Sequence, residues 1–151
     1  MMIENNETSE CGVISDMHMS KMYLYGYLID SSVLYLPFQQ QLISSRGEAC
    51  QLRNTMSELL YFLMQHAEKR VVTDDEIIFN VWEKNDLSGT CSRLWQVMQD
   101  LKGKLYKVGI DNDLFIRVRG KGYCVIQEKI TPLYTRANRL SYGVMKTRIL
   151  L

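Results

Sequence analysis

Two stretches of this chain hold side chains whose types and spacing could do chemistry. The first runs from Thr90 to about Tyr106, and its candidate contact residues are Thr90, Ser92, Arg93, Gln96, Gln99, Lys102 and Lys104. A glutamine amide pairs one donor with one acceptor, which suits an adenine edge, and Arg93 can reach a guanine edge or a phosphate. The second is Arg117-Val118-Arg119-Gly120-Lys121-Gly122. Its glycines let the backbone approach a sugar-phosphate strand, and a narrow minor groove attracts cations such as Arg119 and Lys121. Lys102 and Lys104 suit phosphate oxygens, which position a protein without specifying sequence. Such side chains suit recognition of base edges and phosphates rather than bond making. His18 and His66 have no companions that would make a catalytic set. Cys11, Cys50, Cys91 and Cys124 lack CxxC spacing, so no metal site is expected and the cysteines read as small buried apolar residues. The glycine pair lacks the spacing of a nucleotide-binding loop. No enzyme activity and no cofactor are expected.

Charge supports a polyanionic partner. The net charge of +1 hides a polarity: residues 1–100 hold seven Lys and Arg against fourteen Asp and Glu, a net of −7, and residues 101–151 hold eleven against three, a net of +8. A basic half raises the local concentration of nucleic acid. At 151 residues, 46% apolar and 23% charged, the chain has the size and composition of one globular domain with short tails. No apolar run reaches the roughly 18 residues of a membrane span, and the acidic opening MMIENNETSE is unlike a secretory signal. A cytoplasmic location is expected.

The elements that must position these side chains follow from periodicity. Residues 1–20 show no sustained period and read as a flexible arm. Tyr23–Ile29, Val33–Leu36, Gln41–Ser44 and Ala49–Leu52 are short β-forming runs separated by turn residues, an antiparallel sheet. Thr55/Glu58 and Thr73/Glu76 have capping-box spacing and predict two helix starts. Leu59, Phe62, Leu63 and His66 give the first helix its inner face; Ile77, Ile78, Val81 and Trp82 give the second its own. Leu94, Met98, Leu101 and Leu105 back a third helix whose front is polar. Trp95, on its flank, is expected to pack under the first helix, with contact to a DNA sugar as the alternative, and Asp100 either accepts from a cytosine amino group or pairs with Lys104 four residues on. Leu114–Val118 and Tyr123–Ile126 predict a hairpin with a basic tip. Pro132 sets off residues 131–151, a tail with four bases and no acid. The expected organisation is an arm over 1–20, a domain over 21–130 and a basic tail over 131–151.

Three helices followed by a hairpin make a winged helix-turn-helix order. From Leu52 to Ile126 the chain resembles the winged-helix DNA-binding domain of OmpR/PhoB-type bacterial transcription regulators. The resemblance rests on the Thr55/Glu58 helix start with Leu59, Leu60 and Leu63, on Val71-Val72-Thr73 with Glu76 and Val81-Trp82, on Leu101-Lys102-Gly103-Lys104-Leu105, and on Val118-Arg119-Gly120-Lys121-Gly122-Tyr123. The strands before it resemble that family's four-stranded N-terminal sheet, and the order is most similar to the ToxR-like branch. No residues are expected to form the receiver domain of the family's response regulators, or the branch's membrane span. The resemblance implies an α+β fold, transcriptional regulation in a bacterial cytoplasm, the third helix in a major groove and the hairpin on a minor groove. It also implies two copies side by side on repeated sites. A competing reading from another class is a protein-interaction module that binds RNA polymerase or another regulator without reading sequence.

Overall fold

A computed structural model describes residues 21–136. The expected arm over 1–20, Cys11 and His18, and the tail beyond residue 136, lie outside the described residues. By internal contacts the chain divides into two units. The larger is 26–132; of the other, residues 21–25 and 133–136 are described.

The N-terminal strands form at the runs expected: β1 (Met22–Ile29), β2 (Val33–Leu36), β3 (Gln41–Ile43) and β4 (Ala49–Gln51). They pair antiparallel, with Tyr27 opposite Tyr35, Tyr35 opposite Leu42 and Leu42 opposite Cys50. A further strand, β8 (Ile130–Arg136), completes a five-stranded sheet in the order β4-β3-β2-β1-β8. The proline that suggested a tail sits in this edge strand, where a missing N–H is tolerated; the expected boundary after residue 130 therefore falls inside an element.

Three helices follow, α1 (Asn54–His66), α2 (Asp74–Val81) and α3 (Cys91–Lys107). At the first, the expected Thr55/Glu58 capping box is absent. The helix begins earlier, with Arg53 at the N-cap and no side-chain cap bond, so Thr55 lies inside the first turn. Its buried face is Met56, Leu59, Leu60, Leu63 and Met64, with His66 exposed, a stripe rotated from the one expected. At α2 the box forms as predicted: Thr73 Oγ1 accepts from the Glu76 amide at 3.1 Å, and Glu76 accepts from the Thr73 amide at 3.2 Å. Ile77, Ile78, Val81 and Trp82 are buried.

Sheet and helices share one apolar interior. Ile29, Val33, Leu42 and Leu52 from the N-terminal part, Leu59 and Leu63 from α1, Ile77 from α2 and Met98 and Leu101 from α3 are almost inaccessible to water. Truncating such a leucine to alanine costs about 2–5 kcal/mol. One polar group is buried with them. Tyr35 Oη donates to the Ser57 carbonyl at 2.8 Å and lies 2.9 Å from Ser57 Oγ, fastening β2 to α1; burial pushes the phenol above its usual range.

Candidate nucleic-acid interface

The helix α3 is oriented by its apolar back. Leu94, Met98, Leu101 and Leu105 are buried, while Ser92, Arg93, Trp95, Gln96, Gln99 and Asp100 are exposed. Thr90 caps it, its hydroxyl accepting from the Arg93 amide at 3.0 Å. That bond satisfies one of the unpaired amides at a helix start, so Thr90 acts as a structural cap here. The loop before the cap is pressed close to α2: a Cβ on Gly89 would lie 2.7 Å from Ile78 Cγ2 and 2.9 Å from Trp82 Cβ. Only glycine fits there without displacing a core side chain.

The wing is a three-stranded sheet of β5 (Val72–Thr73), β7 (Gly122–Val125) and β6 (Phe115–Val118), in that order. Val72 faces Tyr123 and Thr73 faces Gly122. Gly122 had been expected to free the tip for a close approach to DNA. Its reason is internal: a Cβ there would collide with the Val72 carbonyl, so the glycine admits β5 to the wing. Gly120 serves the turn, with φ +74° and open space around it.

The wing is latched to α2 through Asp74. Arg117 donates from Nη1 and Nη2 to the two Asp74 oxygens at 2.6 and 2.9 Å. The guanidinium also lies over the ring of Tyr123, 4.7 Å from its centroid, because the two residues face each other across β6 and β7. The Asp74 amide donates to the Lys121 carbonyl at 3.1 Å. Hydrogen bonding to Asp74 holds the Arg117 guanidinium further above its usual range, and burial raises the Tyr123 phenol. Arg117, expected to meet DNA, therefore already has a bidentate carboxylate partner. Arg119 and Lys121 are exposed and have no side-chain partner among the described residues.

Two open grooves flank the exposed face of α3. One, about 610 Å³, runs between α3 and the wing and is lined by Ser92, Trp95, Gln96, Gln99, Lys102 and Arg117, with Asp74 and Tyr123 in its wall. The other lies between α3 and the start of α1 and brings Thr90, Ser92, Arg93 and Gln96 beside Arg53, Asn54 and Asp100. Lys104, Arg119 and Lys121 line neither groove.

Three expectations meet a different arrangement. Trp95 does not pack under α1; it is 58% exposed, because its helical position turns it towards the wing-side groove. Asp100 is bonded to Gln96, whose Nε2 donates to its Oδ1 at 3.1 Å, and no bond to Lys104 is formed. Cys91 is exposed and Cys50 and Cys124 are half-buried, so none of these thiols is a core residue. Asp74 and Tyr123 were not singled out from the sequence. Asp74 reads locally as one more acid at a helix start, and its partner lies 43 residues away.

Among the described residues no helix is long and apolar enough to cross a membrane. The sequence model of a protein family described as "Transcriptional regulatory protein, C terminal" matches residues 47–125. No curated protein sequence matches the chain at a significant level. Among solved structures, the chain is similar to the DNA-binding domain of E. coli CadC, with 22% identity and TM-score 0.57 over 78% of this chain and 100% of that one. It is similar to the DNA-binding domain of E. coli CpxR, with 26% identity and TM-score 0.52 over 65% of this chain and 92% of that one. The Klebsiella pneumoniae RstA DNA-binding domain, solved in complex with its RstA box, has 20% identity and TM-score 0.51 over 71% of this chain and 98% of that one.

Proposed function

We propose, from the premise that this chain belongs to the family of transcriptional regulatory protein C-terminal domains, that it regulates transcription in bacteria by docking α3 in a major groove of duplex DNA with its wing on the adjacent minor groove. The family is one of regulators, not a class of enzymes. The observation that carries the docking is the pairing of two surfaces: an exposed amide-rich helix face, and a neighbouring tip whose Arg119 and Lys121 are unpaired among the described residues. Gln96 and Gln99 read base edges; Ser92, Arg93, Lys102 and Lys104 hold the flanking phosphates. Arg117 supports the wing through Asp74, and Thr90 sets the start of the reading helix. The protein acts in the cytoplasm, binds repeated sites as two copies and passes its effect to RNA polymerase or to another regulator.

Titration of a labelled duplex at two salt concentrations tests the docking, with Arg119→Ala beside the parent. Each neutralised phosphate releases counterions, so affinity falls steeply with salt, and losing Arg119 lowers the slope of log affinity against log salt by about 1. A parent whose affinity ignores salt does not bind through phosphates, and the interaction-module reading then takes its place. An unchanged slope in Arg119→Ala removes the wing from the interface.

A further inference from the structure

Trp95 is an indole without a structural occupation. It is 58% exposed on a helix whose apolar back is fully packed. Among the described residues its ring takes part in no aromatic pair, cation contact or hydrogen bond. Single exposed apolar residues are ordinary, so exposure alone decides nothing. Position does. At about 100° per residue, Trp95 shares one stripe of α3 with Gln99 and Lys102, four and seven residues on. The ring lines the wing-side groove beside Gln96 and Gln99. A glutamine in the major groove suits the N6 and N7 of adenine, and the thymine paired with that adenine presents its 5-methyl group in the same groove. An apolar surface beside an adenine-reading amide therefore meets a thymine methyl of the same or the neighbouring pair.

We propose that Trp95 is a specificity-determining residue that reads a thymine by packing its indole against the 5-methyl group. This rests on the docking of α3 in the major groove. The glutamines supply one half of the A·T reading and the indole the other. The ring carries no charge, so its contribution is independent of phosphate neutralisation and of salt.

The test uses the full chain and a pool of random-sequence duplexes, selected in parallel with the parent, Trp95→Ala and Trp95→Phe. In the duplex the parent selects, each thymine is then replaced singly by deoxyuridine, which lacks the methyl but keeps the same pairing edge. For the parent, one such replacement weakens binding about fourfold, the effect of losing one buried methyl, and Trp95→Phe keeps that sensitivity. Trp95→Ala binds the thymine and uracil duplexes equally and selects sites without the thymine preference, while its binding stays salt-dependent. A parent indifferent to every uracil replacement, or a Trp95→Ala variant with undiminished sensitivity, overturns the thymine assignment and leaves DNA binding standing. A parent that enriches no duplex overturns both.

Discussion

Arg117 carries the same charge as Arg119, two residues away, and does a different job. Two of its donors are taken by Asp74 and its plane covers Tyr123. A guanidinium with its countercharge in place displaces few counterions from a phosphate strand. Arg117→Ala is therefore expected to leave the salt slope of duplex binding within a few tenths of the parent's, where Arg119→Ala lowers it by about 1. Parallel salt titrations of the two variants check this; equal losses would mean that Arg117 leaves Asp74 for a phosphate. Asp100 shows the same local logic on α3. Its acceptance of the Gln96 amide at 3.1 Å fixes the orientation of that amide and places a negative charge where a phosphate is not welcome.

The three helices are not equally well signalled at their ends. At α2, acids at 74–76 meet the positive end of the helix dipole, and Glu76 serves both the Thr73 cap and Arg70, which donates to it at 2.8 and 3.1 Å. Hydrogen bonds from Arg70 and then from the Thr73 amide hold the Glu76 carboxyl down to about 2, from 4.5. A depressed carboxylate stabilises the fold above its unfolded value and loses that contribution as pH falls towards the folded one. Glu76→Gln keeps the box geometry and deletes the charge. Because the pair is exposed, the variant is expected to be only about 0.5–1 kcal/mol less stable above pH 5. The difference should shrink through the window from pH 4.5 to 2; urea midpoints across that range measure it. A difference that persists at pH 2 would place the effect in packing instead. The Thr73/Glu76 box and the Leu94/Met98/Leu101/Leu105 stripe were legible because each links residues three or four apart along the chain. Thr55/Glu58 has the same spacing and no box, since the helix begins at Asn54 and the threonine no longer stands outside it. The joining of Val72 to Tyr123, the Asp74–Arg117 latch and β8 depend on partners distant in sequence, and no local pattern reports them. Trp95 lay on the border of the stripe, where a turn of a few tens of degrees decides between core and groove.

Across the molecule, charge and chemistry are divided. The chain carries −7 over residues 1–100 and +8 over 101–151, and β6, β7 and the end of α3 fall in the basic part. The proposed reading face is lightly charged, built from amides, a hydroxyl and an indole, with Arg93 and Lys102 at its flanks and Asp100 among them. A surface of this kind discriminates sequence more than it attracts DNA, since base contacts specify and phosphate contacts position. The family membership and the order of helices and wing were legible from Leu52 to Ile126, because the framework residues double as core. Which polar side chains stand free to meet a base was not, because Asp74 engages Arg117 from 43 residues away and Asp100 engages Gln96 where Lys104 offered the same four-residue spacing.

The ratio of affinities for a selected duplex and a scrambled one of the same composition tests the central claim most directly, measured for the parent and for Gln96→Ala/Gln99→Ala. The parent should prefer its selected duplex by about a thousandfold or more. The double variant should lose about 1–3 kcal/mol of that discrimination per glutamine while binding the scrambled duplex as the parent does. A parent that binds both duplexes alike, or a double variant whose ratio equals the parent's, contradicts the assignment of α3 as the reading helix.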